Sequence, residues 1–278
     1  MALIAIDMDG TLISNENIIT KENVESIKAA QSEGIHVVIS TGRLYDSAKE
    51  TLDEVGINCP IISLNGSKIC DQNGNVILNK TMDKDVFSRV LAECERENNT
   101  FIISTNKGSY TKNRDELYEE FFTDKQTKKL KKLTTTLKNI RNYHSVEDFT
   151  LLDVYKILFL SNDQTTISRL RNKLAREEKL LVTSSHSNNL EINAAGISKG
   201  AALLYLAPIL GVDLQQSMAI GDSFNDVSMF NRVGFPVAMG NATDELKQHC
   251  VFTTKTNNES GVAHAIYHFM ELKKKISN

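Results

Sequence analysis

Tryptophan is absent from the 278 residues, and nothing follows from that; cysteine occurs four times. Cys59, Cys70, Cys94 and Cys250 are scattered and form no C-x-x-C pair. That leaves neither a disulfide framework nor a thiolate metal site to be read from spacing, and it predicts free thiols in a reducing cytoplasm. No apolar run approaches the length that spans a bilayer. The N-terminal apolar run lacks a basic flank and meets Asp7 too early for a signal peptide. Neither sign of charge dominates: 32 Lys and Arg face 35 Asp and Glu, for a net charge of −3. This balance argues against nucleic acid or an anionic membrane as the main partner. The one local basic run, Lys125–Lys132, reads as the solvated face of a helix rather than as a binding patch.

What is present is an ordinary globular composition, 41% hydrophobic and 24% charged, in a chain long enough for one large domain or two ordinary ones. The informative stretch is Leu3-Ile4-Ala5-Ile6-Asp7-Met8-Asp9-Gly10-Thr11-Leu12. Leu3–Ile6 suits a strand buried on both faces, as in a parallel sheet. Asp7 and Asp9 then stand at its carboxyl end, where open α/β sheets bind ligands, and Gly10 lets the backbone turn. Two carboxylates so close repel unless a cation neutralises them. Mg²⁺, held by carboxylates, waters and substrate phosphate, is the natural partner.

The order that follows is strand–helix–strand–helix–strand. A helix capped by Thr20 runs to Gly34, His36–Ser40 is a second buried strand, a helix runs from Leu44 to Gly56, and Pro60–Leu64 is a third strand. The pattern implies a parallel sheet with right-handed crossovers. Asn73-Gly74 between Lys68–Cys70 and Val76–Leu78 is a hairpin signal. From residue 83 to 192 the character is α+β: a helix over 84–97, strands at Phe101–Ser104, Val154–Leu160, Leu180–Thr183 and Leu190–Ile192, and a polar stretch Lys107–Asp148 that reads as helix and loop. The expected organisation is a catalytic core of 1–82 and 193–278 with an inserted domain of 83–192, of ordinary domain size.

Three further positions suit phosphate chemistry. Thr41, with the Gly42 amide, ends the second buried strand at a helix start, where it either holds a phosphate oxygen or caps the helix. Lys199 opens a helix, a position unfavourable for a cation unless an anion is near. Gly221-Asp222-Ser223-Phe224-Asn225-Asp226 follows another buried strand and offers a third strand-end carboxylate, while Asp226 also suits helix capping.

Together these residues resemble the four motifs of the haloacid dehalogenase (HAD) superfamily in order: Asp7-x-Asp9, Thr41, Lys199 and Gly221-Asp222-x-x-Asn225-Asp226. The chain is similar to the Cof-type branch, which carries a large α+β cap. The resemblance implies a Rossmann-like, three-layer parallel-sheet α/β core and a Mg²⁺-dependent phosphomonoester hydrolase. In it Asp7 is the nucleophile and Asp9 the general acid/base. The metal would be held by Asp7, Asp222 and the Asp9 carbonyl, with Asp226 behind them. Phosphate would be held by the Met8 amide, Thr41, Gly42, Lys199 and Asn225. Separately, Arg43, Asn65 and Asn188 are candidate substrate contacts, as are Tyr45 and His186, with an ordinary structural role the alternative for each. The expected substrate is a small phosphorylated metabolite such as a sugar phosphate, and the expected assembly a monomer or weak homo-oligomer. A phosphomutase of the phosphomannomutase type, and a phospho-accepting signalling protein without turnover, are the alternatives left open.

Overall fold

The computed structural model describes residues 1–97, 99–122, 140–184 and 187–277. The basic run Lys125–Lys132 and His186 lie outside the described residues. Fourteen strands are described: β1 Leu3–Ile6, β2 His36–Ser40, β3 Ile61–Ser63, β4 Lys68–Cys70, β5 Val76–Asn79, β6 Phe101–Thr105, β7 Gly108–Thr111, β8 Ile140–Asn142, β9 Val154–Leu160, β10 Leu180–Thr183, β11 Asn189–Ala194, β12 Met218–Gly221, β13 Phe235–Ala238 and β14 Phe252–Thr253. They fall into two compact units, one of residues 1–79 with 198–278 and one of residues 80–197.

The first unit holds an eight-stranded sheet in the order β14-β13-β12-β1-β2-β3-β4-β5. β14 through β3 run parallel, and the β4–β5 hairpin adds an antiparallel edge. β1 is fully buried, and its alternating side chains serve two layers. Ile4 and Ile6 pack with Ile27, Ala30, Leu52, Val262 and Ile266, on the helices Lys21–Ser32, Tyr45–Asp53 and Gly261–Ser277. Leu3 and Ala5 pack with Ala202, Leu203 and Leu206 of the helix Lys199–Leu210, and with Met229 and Phe230. That two-sided burial is why Leu3–Ile6 reads as an unbroken apolar run rather than an alternating one. Each fully buried aliphatic side chain contributes roughly 1.5–3 kcal/mol. Local chemistry sets the ends: the Thr20 hydroxyl accepts from the Asn23 N–H at the first helix start. Asp71 accepts from the N–H groups of Asn73 and Asn75 inside the β4–β5 hairpin.

The second unit is a six-stranded sheet in the order β10-β11-β9-β6-β7-β8, antiparallel except for the β7–β8 pair. The helices Lys84–Arg96 and Gln164–Leu174 bury Val86, Phe87, Val90, Leu91, Ile167 and Leu170 against Phe101, Ile103, Ile157, Phe159, Leu190 and Ile192. Phe149 lies edge-on to Phe87, Tyr110 and Tyr143 in the same cluster. The stretch Lys107–Asp148, expected as helix and loop, also contains β7 and β8 around the helix Arg114–Phe122. β7 is Gly-Ser-Tyr-Thr, with one large apolar residue. Its strand character comes from ladder bonds to the adjacent β6 and to the sequence-distant β8, which periodicity does not encode.

Candidate active site

Three neighbouring strands of the parallel sheet end together. β1 is flanked by β12 and β2, so the residues that follow them, Asp7, Asp222 and Thr41, are brought side by side. Asp7 continues the ladder by donating its N–H to the Ile220 carbonyl at 3.0 Å. The chain then turns tightly, with the Leu12 and Ile13 N–H groups donating to the Asp7 and Met8 carbonyls. The Met8 side chain is buried in the core, so only its main chain is left to serve the site.

Lys199 lies across this arrangement. Ser198 caps its helix, and the side chain is fully buried. Nζ donates to Asp7 Oδ1 and Asp226 Oδ1, each at 2.6 Å. The anion that a cation at a helix start requires is thus a pair of carboxylates. Asp226 Oδ2 accepts the N–H groups of Asp222 and Ser223, each at 3.0 Å. Asp226 is therefore both the capping residue of its turn and a partner of Lys199. Asp222 Oδ1 accepts from the Thr11 hydroxyl at 2.8 Å, a contact the sequence reading missed although Thr11 stands inside the first motif.

The carboxylates of Asp7, Asp222 and Asp226 offer oxygens within 4.8 Å of one another. Three acids face one buried ammonium, and the charge does not balance. Burial pushes the Asp7 carboxyl well above the usual carboxylate range, against the pull of Lys199, and the Asp226 and Asp222 charges add to the rise. Burial, then the Asp226 charge, pushes Asp222 up to about 6. Burial also opposes the charge on Lys199, but Asp226 and Asp7 more than offset it and its pKa is raised. An all-oxygen donor set that is short of positive charge suits a hard divalent cation.

Thr41 is buried, donates its N–H to the Ile62 carbonyl, and accepts the Arg43 N–H on its hydroxyl at 3.1 Å. Gly42 faces Asn65: a Cβ there would meet Asn65 Oδ1 at 3.2 Å. Asn65 stands beside Leu64 in consecutive left-handed conformations, φ +56° and +53°. Its Oδ1 accepts from Asn225 Nδ2 at 3.3 Å. A bulky residue such as Leu64 at positive φ is unusual, and here it accompanies a turn that brings Asn65 onto Gly42 and Asn225. The Arg43 guanidinium forks onto Asp9, Nε to Oδ2 and Nη2 to Oδ1, both at 2.8 Å. Tyr45 opens the helix Tyr45–Asp53, with the Lys68 ammonium over its ring. Asn188 belongs to the second unit, where its carbonyl accepts the Ser161 N–H just before β11.

The chain belongs to the haloacid dehalogenase-like hydrolases, whose family pattern matches residues 4–266, and it is a phosphatase. It is 34% identical over 268 residues to the 5-amino-6-(5-phospho-D-ribitylamino)uracil phosphatase YcsE of Bacillus subtilis, covering 96% of this chain and 95% of that one. To YwtE, a phosphatase of the same description from the same organism, it is 36% identical over 281 residues, or 96% and 97% of the two chains. Among solved structures, a haloacid dehalogenase-like hydrolase from B. subtilis matches with a TM-score of 0.85 at 32% identity, over 96% of this chain and 99% of that one.

Gly10 is a position at which the site leaves no room for a side chain. Its φ is +84°, and a Cβ there would lie 2.4 Å from Asp222 Oδ2. Gly10→Ala should move Asp222 by about an ångström and lower phosphatase kcat/KM by on the order of 10²-fold. The unfolding temperature should change by only a few degrees. Activity within about threefold of the unaltered protein would mean that Asp222 need not sit where it does.

Proposed function

We propose that this phosphatase is a Mg²⁺-dependent phosphomonoester hydrolase acting on a small phosphorylated metabolite through an aspartyl-phosphate on Asp7. The observation that carries the reading is Asp7 itself: a buried carboxylate at the end of the central strand, 2.6 Å from Lys199 and beside Asp222. Asp7 and Asp222 are the carboxylates that would hold the cation, with the Asp9 main-chain carbonyl by family resemblance. Asp226 is committed to Lys199 and to the turn after β12, so it braces the site. Bound there, Mg²⁺ supplies positive charge to the carboxylates and to the phosphate oxygens.

The protein's own groups carry the steps. Asp7 attacks phosphorus as the ester P–O bond breaks, and Asp9, protonated, gives its proton to the departing alkoxide. Asp9, now a carboxylate, takes a proton from water as the water oxygen attacks the aspartyl-phosphate. Inorganic phosphate leaves and Asp7 is regenerated. Thr41, Gly42, Lys199, Asn225 and the Met8 N–H are the groups to hold the equatorial oxygens, the electrostatic work that phosphoryl transfer chiefly needs.

The two B. subtilis relatives are named for a phosphorylated ribitylaminouracil, and a Yersinia pseudotuberculosis relative at 27% identity is named an HMP-PP phosphatase. A phosphate on a small polyol, sugar or heterocycle is accordingly the substrate class proposed here, with the inserted unit, residues 80–197, as the specificity element. The test is a panel of such esters, including the phosphorylated ribitylaminouracil and hexose phosphates, assayed for phosphate release. EDTA should abolish release and Mg²⁺ restore it. Full activity in metal-free buffer would refute the metal assignment, and no release from any ester would refute the substrate class.

A further inference from the structure

We propose that Arg43 is a positioning residue for Asp9, fixing the carboxyl group that transfers the proton, rather than a contact to substrate. The proposal rests on the phosphatase mechanism given above and deepens it. Asp9 is 47% exposed at its side chain, whereas Arg43 is 15% exposed. Proton transfer requires heavy atoms within about 2.6–3.2 Å of each other, so the direction of that carboxyl decides whether it can act.

Arg43 is built to hold that direction. Its main chain is tied on both sides: the N–H donates to Thr41 Oγ1, and the carbonyl accepts the Leu64 N–H at 2.9 Å. Each guanidinium nitrogen is then committed. Nε and Nη2 grip the two oxygens of Asp9, and Nη1 donates to Thr51 Oγ1 at 3.1 Å. Thr51 donates in turn to the Ser47 carbonyl at 3.0 Å, within its own helix. The clamp therefore runs from the Tyr45–Asp53 helix through a planar fork to the acid. A fork-to-carboxylate pair fixes the plane of the carboxyl as well as its distance. Lysine, a single ammonium, holds the distance but not the plane.

The consequence is specific to the leaving group. An alkoxide departs only with a proton, so its first step depends on where Asp9 points; p-nitrophenolate departs without one. For both esters kcat/KM reports the steps up to phosphoryl transfer to Asp7. Arg43→Met should lower kcat/KM for the best alkyl phosphate of the panel by about 10²-fold, the scale of an ångström misplacement. The loss on p-nitrophenyl phosphate should be smaller by about tenfold or more. Arg43→Lys should recover part of the loss, and Thr51→Val should shift both esters in the same sense by a smaller factor. The inhibition constant of inorganic phosphate should stay within about threefold throughout. Equal losses on the two esters, with or without weaker phosphate inhibition, would overturn the proposal. An unaltered protein that hydrolyses neither ester would instead refute the phosphatase mechanism, before any Arg43 variant is made.

Discussion

On the proposed mechanism Asp7→Asn should release neither nitrophenolate nor phosphate from p-nitrophenyl phosphate in the presence of Mg²⁺, a loss of at least about 10⁴-fold, the scale on which removal of a nucleophile acts. Folding should survive, because Asn matches Asp in volume and can still accept from Lys199, which keeps its 2.6 Å partner Asp226. In metal-free buffer the variant should unfold no lower than the unaltered protein, since it removes one of three carboxylates facing one ammonium. Asp9→Asn should behave differently. On the proposed mechanism it keeps the nucleophile and removes only the proton donor and acceptor. With p-nitrophenyl phosphate it should give a burst of nitrophenolate near one equivalent per enzyme, then turnover slowed by about 10²–10⁴-fold as aspartyl-phosphate accumulates. Rapid-quench measurement distinguishes the two roles. If Asp9→Asn, with Mg²⁺ binding intact, loses burst and turnover together, the two-step acid/base role is wrong.

Lys199→Met should be the most damaging single change to the folded state. The methionine fills similar space, but Asp7 and Asp226 lose their buried countercharge. Breaking a buried ion pair from one side costs about 3–5 kcal/mol. For a chain of this size that is roughly 6–20 °C in unfolding temperature. The deficit should depend on pH with a defined sign. Lys199 has a raised pKa and stays charged across the accessible range. Asp7 and Asp222 have raised pKa values, Asp222 at about 6. Carboxylates raised in this way contribute stability that is fully present below their ordinary pKa and lost as pH rises through the raised one. Without Lys199 that loss is larger. Differential scanning calorimetry in EDTA should therefore find the two proteins closest near pH 5 and furthest apart near pH 8. A deficit independent of pH would reduce the role of Lys199 to packing.

Much of this was legible in the sequence because the site sits where local signals are strongest. Buried parallel strands such as Leu3–Ile6 and Met218–Ile220 are unbroken apolar runs, and their ends are marked by Asp, Thr and Gly. Thr20, Gly34 and Asn73-Gly74 announce their caps and turn through chemistry confined to a few residues. β7, joined to β6 through the Asn106-Lys107 turn, was missed because Gly108–Thr111 carries little apolar patterning, and β8 because Ile140–Asn142 is a strand only by virtue of a partner far upstream in the chain. The reach of Arg43 to Asp9, across 34 residues, was hidden for the same reason. Sequence placed Arg43 at a helix entrance next to the site, but which carboxylate its fork would take depends on how β1 and β2 align. The double role of Asp226, as cap and as partner of Lys199, appears only when β12 and the Lys199–Leu210 helix are set side by side.

The centre of the sheet is also a matter of timing. β1 is made first, yet its neighbour on one side, β12, is among the last strands to be synthesised, and 211 residues separate Thr11 from Asp222. At about 5–20 residues per second, the Leu3–Ile6 edge waits roughly 10–40 s for its partner. During that wait residues 80–197 are complete, while β1 offers an apolar, unpaired strand edge to other nascent chains. The ribosome-bound intermediate of this protein is thus expected to carry a folded inserted unit on an unfinished core. Chains interrupted before Met218 should be inactive and should aggregate through β1.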